Sequence, residues 1–244
     1  MNANKALSVV AFCMLTGAPL AQAATLIHHY DFSSGVIDSA GSANGTLVGD
    51  ASTAGGVLTL DGDGDYVQFS SFLVPTSGSY SVSFFATRAA SQGSYTEVIS
   101  QAYSGAGFYI GTDPGGNMRA SDAWGATGVA FAAPGVMTHY ALTVDAGSNT
   151  SSLYVNGTLA ASVGYAYGSG TSGTATRFGA QFAPYGEYFN GTIDDVRIYS
   201  GALSGNEVAL LANPVPEPAS YAMFAAGLGL VGARAWRRRR QLKP

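Results

Sequence analysis

The sequence predicts an all-β fold, a two-sheet antiparallel jelly-roll sandwich, over residues 24–213 of the 244-residue chain. Three observations carry this expectation. Short runs rich in β-branched and aromatic residues alternate with Gly/Ser/Asp turns throughout the span. Asn156-Gly157 separates Ser152–Val155 from Thr158–Ala160, and this pair suits the two positive φ angles of a type I′ hairpin turn. About 190 residues are enough for one sizeable domain.

Taken in order, Leu26–Phe32 reads as the first strand. Val57–Leu60 and Tyr66–Phe69 flank the turn Asp61-Gly62-Asp63-Gly64-Asp65. Tyr80–Ala86 alternates with period two, apart from one extra apolar residue, and His139–Asp145 is a further strand. Tyr165–Gly173 is a glycine-rich loop, and Gly191–Tyr199 is the last strand. Ser204-Gly205-Asn206-Glu207 then forms a capping box that opens a short helix through Leu211.

Both ends carry targeting features. Residues 1–23 read as a secretory signal peptide. Lys5 supplies the positive region, Leu7–Leu15 the apolar region and Ala21-Gln22-Ala23 a cleavage site, so the mature chain begins at Ala24. The single cysteine, Cys13, lies in the apolar region, so the mature protein has no disulfide and relies on its packed core. Residues 214–244 form a tail: Val215-Pro216-Glu217-Pro218, an apolar run Ala219–Ala233, then Arg234 and the block Arg237-Arg238-Arg239-Arg240. The uncharged run spans roughly 22 Å as a helix against a hydrocarbon core of about 30 Å. A transmembrane helix over about 219–236 is expected, with Arg234 snorkelling and residues 237–244 cytoplasmic by the positive-inside rule.

This tail resembles the PEP-CTERM sorting signal of Gram-negative bacteria. The resemblance implies an exosortase-type processing enzyme as partner, with Val215, Pro216, Glu217 and Pro218 as the processing motif. The chain is then exported, anchored transiently in the inner membrane, and delivered to the cell surface or extracellular matrix. A plain, uncut tail anchor is the alternative.

Within 24–213 there is no lysine, and Arg88, Arg119, Arg177 and Arg197 oppose fourteen carboxylates, for a net charge of −10. Such a domain is a poor nucleic-acid binder and suits calcium or neutral polymers better.

From about Ile27 to Leu211 the segments resemble the LamG-like, concanavalin A-like superfamily. The resemblance rests on Leu60–Val67, Tyr80–Phe84, Thr138–Asp145, Leu153–Gly157 and, most strongly, Phe189–Tyr199 with the helix after it. Phe85 stands where the family often has tryptophan, and Thr138-His139 where a Trp-His pair is usual; both are packing positions.

An EF-hand at Asp61–Asp65 is excluded, because Tyr66 and Phe72 occupy the positions that need glycine and a bidentate acid. That leaves either a turn supplying one or two calcium ligands or a solvated acidic hairpin. The resemblance also implies a structural Ca2+ held by Asp31 with Asp194 or Asp195. Adjacent acids in a strand face opposite ways, so only one of that pair is expected at the site; pairing with Arg197 is the alternative. His28 and His29 are likewise expected on opposite faces, His139 is expected to pack, and no zinc spacing is present.

Glucanases of this superfamily need two carboxylates flanking the scissile bond. Glu97, Glu187 and Glu207 each stand without a partner acid two or four residues away, so no catalytic residue is assigned and no enzyme is expected. Sugar binding on exposed aromatic faces is expected instead, with Tyr103, Trp124, Tyr165, Tyr167, Tyr185 and Tyr188 as candidates. The resulting expectation is an exported module that binds glycan or exopolysaccharide, or serves structurally. A glycan-active hydrolase or lyase with an unrecognised site is the alternative.

Overall fold

A computed structural model describes residues 23–102, 107–120, 127–170, 172–182 and 185–213. Most of the expected signal peptide and the whole tail over 214–244 therefore lie outside the described residues. In chain order the strands are β1 (Thr25–Tyr30), β2 (Thr46–Val48), β3 (Leu58–Asp61), β4 (Tyr66–Gln68), β5 (Tyr80–Arg88), β6 (Thr96–Gln101) and β7 (Phe108–Thr112). They continue with β8 (Met118–Ala120), β9 (Thr138–Asp145), β10 (Thr150–Val155), β11 (Thr158–Val163), β12 (Arg177–Phe178) and β13 (Asn190–Ser200), and helix α1 (Gly205–Ala212) follows.

Two antiparallel sheets result. A seven-stranded sheet runs β1-β13-β5-β9-β10-β11, with β3 also on β13, and a six-stranded sheet runs β2-β4-β12-β6-β7-β8. The chain passes repeatedly between them, as an all-β sandwich of jelly-roll type requires. β13 takes β3 along Asn190–Ile193 and β1 along Val196–Ser200. Both partners lie on the same edge, since β5 occupies the other.

Period-two alternation builds the core. Tyr80, Val82, Phe84 and Ala86 of β5 and Tyr140, Leu142 and Val144 of β9 point inward. Tyr30, Phe69 and Phe178 pack as a ring triad with centroids 4.6–5.4 Å apart. On the outside of the seven-stranded sheet, Val208 of α1 packs on Ala141, Tyr199 and Leu203. The helix starts where the capping box predicts: Ser204 Oγ accepts from the Glu207 N–H, and Glu207 Oε2 accepts from the Ser204 N–H at 2.7 Å.

Two expectations are corrected. The first strand ends at Tyr30 instead of Phe32, whose φ of +54° turns the chain away. Asp61–Asp65 is not a hairpin: β3 and β4 belong to different sheets, so this acidic turn is a corner between layers.

Candidate functional site

The outer face of the six-stranded sheet gathers charge and aromatic rings. Val67, Phe178, Phe108, Ile110, Met118 and Ala120 point into the core. The alternating residues Tyr66, Gln68, Arg177, Tyr109 and Arg119 therefore lie on the opposite face, where Tyr66, Gln68 and Arg177 are half-buried and Tyr109 and Arg119 are covered. Arg119 sits at the centre. Its Nη2 lies 3.0 Å from Glu97 Oε1 and its Nη1 lies 3.8 Å from Glu187 Oε2. The same guanidinium lies 4.8 Å from the Tyr95 ring centroid and 5.5 Å from that of Tyr109, within cation–π range. Gly111 makes room for this cluster, since a Cβ there would run into the Glu97 carboxylate and the Thr96 carbonyl.

Beside it, Arg177 lies 4.5 Å over the Tyr66 ring, donates from Nε to Gln68 Oε1 and donates from Nη1 to the Gln181 carbonyl. Tyr66 in turn stacks on Tyr188 with centroids 6.4 Å apart. A tight turn delivers Glu187 and Tyr188 to this place. Gly186 and Glu187 have φ of +70° and +48°, and the Gly186 carbonyl accepts from the Gln181 N–H at 2.6 Å. A left-handed conformation at a glutamate costs about 1–2 kcal/mol. The Glu187 carbonyl helps hold it by accepting from the Glu97 N–H at 2.8 Å. Tyr95 and Tyr185 leave 42% and 61% of their surface open at the edge of the cluster's segments.

Glu97 and Glu187, solitary in the sequence, thus share one guanidinium. Local spacing carries no sign of this, because the pairing is made by β6 and by a turn ninety residues downstream. Glu97 is fully buried and its carboxylate is occupied by Arg119.

The six expected sugar contacts separate. Tyr188 belongs to the face just described, and Tyr185, three residues earlier in the same turn, sets its exposed ring edge-on to Phe182. Tyr165 and Tyr167 pack together, centroids 4.8 Å apart, on the loop after β11, with Tyr165 more than half exposed. Tyr103 and Trp124 lie outside the described residues.

Asp31, Asp194 and Asp195 line one shallow depression with His29, Phe85, Met137 and Arg197. It opens where β3 leaves the edge of β13 and β1 begins. Both neighbouring acids reach it, contrary to period-two alternation, because β13 bulges here and Asp195 has a φ of +48°. Asp195 Oδ1 lies 2.7 Å from His29 Nε2 and 3.0 Å from Arg197 Nη2. Asp31 Oδ1 accepts from the Ser33 N–H and hydroxyl. Burial holds the Asp194 carboxyl above its ordinary range, and the Asp195 and Asp31 carboxylates push the same way. His28 turns instead to Asp38, Nδ1 to Oδ2 at 2.7 Å. Asp38 accepts from the backbone N–H groups of His29, Ala40, Gly41 and Ala43, which fixes the loop after β1. His139 is buried edge-on to Phe85, centroids 5.0 Å apart, so it packs as expected.

Among solved structures, domain 4 of AbnA, a GH43 extracellular arabinanase from Geobacillus stearothermophilus in complex with arabinotriose, is similar at 25% identity and a TM-score of 0.63. The match covers 79% of this chain and 100% of that one. The binding domain of botulinum neurotoxin serotype D is 15% identical with a TM-score of 0.58, covering 78% of this chain and 52% of the other. A Trypanosoma rangeli sialidase is 14% identical with a TM-score of 0.58, covering 77% and 32% respectively. The last two likenesses concern the fold alone. No curated protein matches the sequence. Among the described residues no helix is long and apolar enough to cross a membrane, and 219–236 lies outside them. Residues 214–240 match the PEP-CTERM protein-sorting motif, which implies exosortase-type processing and fits export to the cell surface or beyond. Residues 61–209, more than half of the chain, match the concanavalin A-like lectin/glucanases superfamily, and the chain belongs to it.

Proposed function

We propose that this protein is an exported, non-enzymatic module that binds glycan on the outer face of its six-stranded sheet. The observation that carries this reading is the pair of arginine–tyrosine assemblies with open rings, Arg119 with the exposed Tyr95, and Arg177 with the half-buried Tyr66 and Tyr188. Flat rings offer apolar surface to sugar C–H faces, while held charges offer hydrogen bonds to hydroxyls. The arabinanase domain described with arabinotriose supports a carbohydrate ligand. The 219–236 segment holds the chain in the inner membrane until the processing enzyme acts at Val215–Pro218, with Arg234, Arg237, Arg238, Arg239 and Arg240 on the cytoplasmic side.

The test uses the full-length protein on a glycan array and on exopolysaccharide from its own source. Tyr188→Ala and Tyr185→Ala are expected to weaken binding about tenfold each, near 1.4 kcal/mol, while Tyr165→Ala leaves it unchanged. Retention of no glycan sinks the reading, and loss in Tyr165→Ala alone moves the site to the loop after β11. The lectin/glucanases family leaves a second reading, a hydrolase, with the half-buried Glu187 as its candidate acid. Release of reducing ends by the wild type but not by Glu187→Gln would establish it.

A further inference from the structure

We propose that Asp50, Asp61 and Asp65 form a calcium site at the corner where the chain leaves the seven-stranded sheet for the six-stranded one. One carboxylate oxygen from each lies within 4.8 Å of the others. Calcium–oxygen distances of about 2.3–2.6 Å place neighbouring ligands roughly 3.3–5 Å apart, so three such oxygens can share one ion. The site is more than an acidic cluster, because Asp65 is 1% exposed. Its Oδ2 accepts from the Asp61 N–H at 2.9 Å, but its buried Oδ1 has no hydrogen-bond partner. None of the three acids takes part in an ion pair among the described residues. A buried carboxylate oxygen beside two further carboxylates, without a donor, needs a cation or a proton.

The backbone assembles the group. Gly62 and Gly64, with φ of +85° and +83°, curl the corner tightly. Gly49 brings the turn after β2 against it: a Cβ there would stand 3.0 Å from both the Gly64 carbonyl oxygen and Asp65 Cα. Asp50 thereby joins from just past the end of β2, the antiparallel partner of the β4 strand that Asp65 precedes. Asp61 Oδ1 already accepts from the Asp63 N–H, which leaves Oδ2 for the ion. Burial, joined by the Asp61 carboxylate, holds the Asp65 carboxyl above its ordinary range. Calcium and a proton therefore compete for the same place. Carboxylate oxygens alone, with no histidine or thiolate, select a hard cation over zinc. The bound ion ties the turn after β2 to the corner. It also steadies Tyr66, the residue after Asp65, at the rim of the proposed glycan face, though the inference stands without that reading.

The test is thermal unfolding of the full-length protein in mild detergent. Extracellular calcium modules bind at about 10⁻⁴–10⁻³ M; with affinity at the tight end, about 2 mM calcium against EDTA raises Tm by roughly 4–7 °C. Asp65→Asn is expected to abolish the shift. Asp50→Asn, an exposed side chain whose loss leaves the fold intact, is expected to reduce it by at least about half and decides the matter if Asp65→Asn does not fold. Asp31→Asn is expected to keep it. No shift in the wild type overturns the proposal, as does a shift that survives Asp50→Asn and Asp65→Asn but is lost in Asp31→Asn. An equal response to magnesium overturns the assignment to calcium.

Discussion

His139 illustrates what burial does to a single group. Its ring is 1% exposed, and Nε2 lies 2.8 Å from Ser83 Oγ. Burial pushes its pKa from 6.5 to about 4. Because the folded value is depressed, the unfolded chain binds the extra proton first. Stability is therefore full above pH 6.5 and is lost as pH falls toward 4, by at most about 1.4 kcal/mol per pH unit. Asp38 and Asp145, held below their ordinary value, lose their contribution only at lower pH. Asp65 and Asp194, raised above theirs, act in the opposite sense as they protonate. Urea unfolding at several pH values between 7 and 4 is expected to show a shallower decline for His139→Gln than for the wild type. Equal slopes would assign the decline to other groups. That His139 packs was legible from its place in an apolar strand. That it meets Phe85 was not, because the contact crosses from β9 to β5.

At the scale of elements, the hairpin and the helix were read from local rules and then found to depend on each other. Asn156 and Gly157 have φ of +48° and +76°, the two positive angles the Asn-Gly pair predicts. A Cβ on Gly157 would also stand 2.9 Å from Ala209 Cα in α1. Gly157→Ala is therefore expected to cost about 2 kcal/mol, combining backbone strain with a backbone clash. Ser204→Ala, which removes one half of the capping box, is expected to cost about 1 kcal/mol. Chemical denaturation measures both, and a neutral Gly157→Ala would mean that helix and hairpin move apart freely. Strands β6, β7 and β8 escaped the sequence reading for the converse reason. Every position in them is buried. With both faces of these three strands covered, the polar–apolar alternation that announces a strand is missing.

For the whole molecule, the charge divides between an acidic domain and a basic tail. The sorting motif at 214–240 implies exosortase-type processing, and in the proposed function that step removes the arginine block. Intact masses from culture medium and from cells are expected to show a chain that starts at Ala24 and ends at or near Val215–Pro218. A sole species retaining Arg237–Arg240 would mean an anchor that is never cut. The sequence by itself determined the C-terminal sorting motif, the all-β class, the turn at Asn156-Gly157 and the capping box at Ser204–Glu207, because each depends on neighbours within a few residues. Only the tertiary structure decided which sheet each strand joins. Sheet membership in turn set Glu97 and Glu187 on one arginine, made Asp61–Asp65 a corner instead of a hairpin, and carried Asp50 to it. Those groupings join residues far apart in sequence, and local spacing holds no record of contacts that form only when the two sheets close.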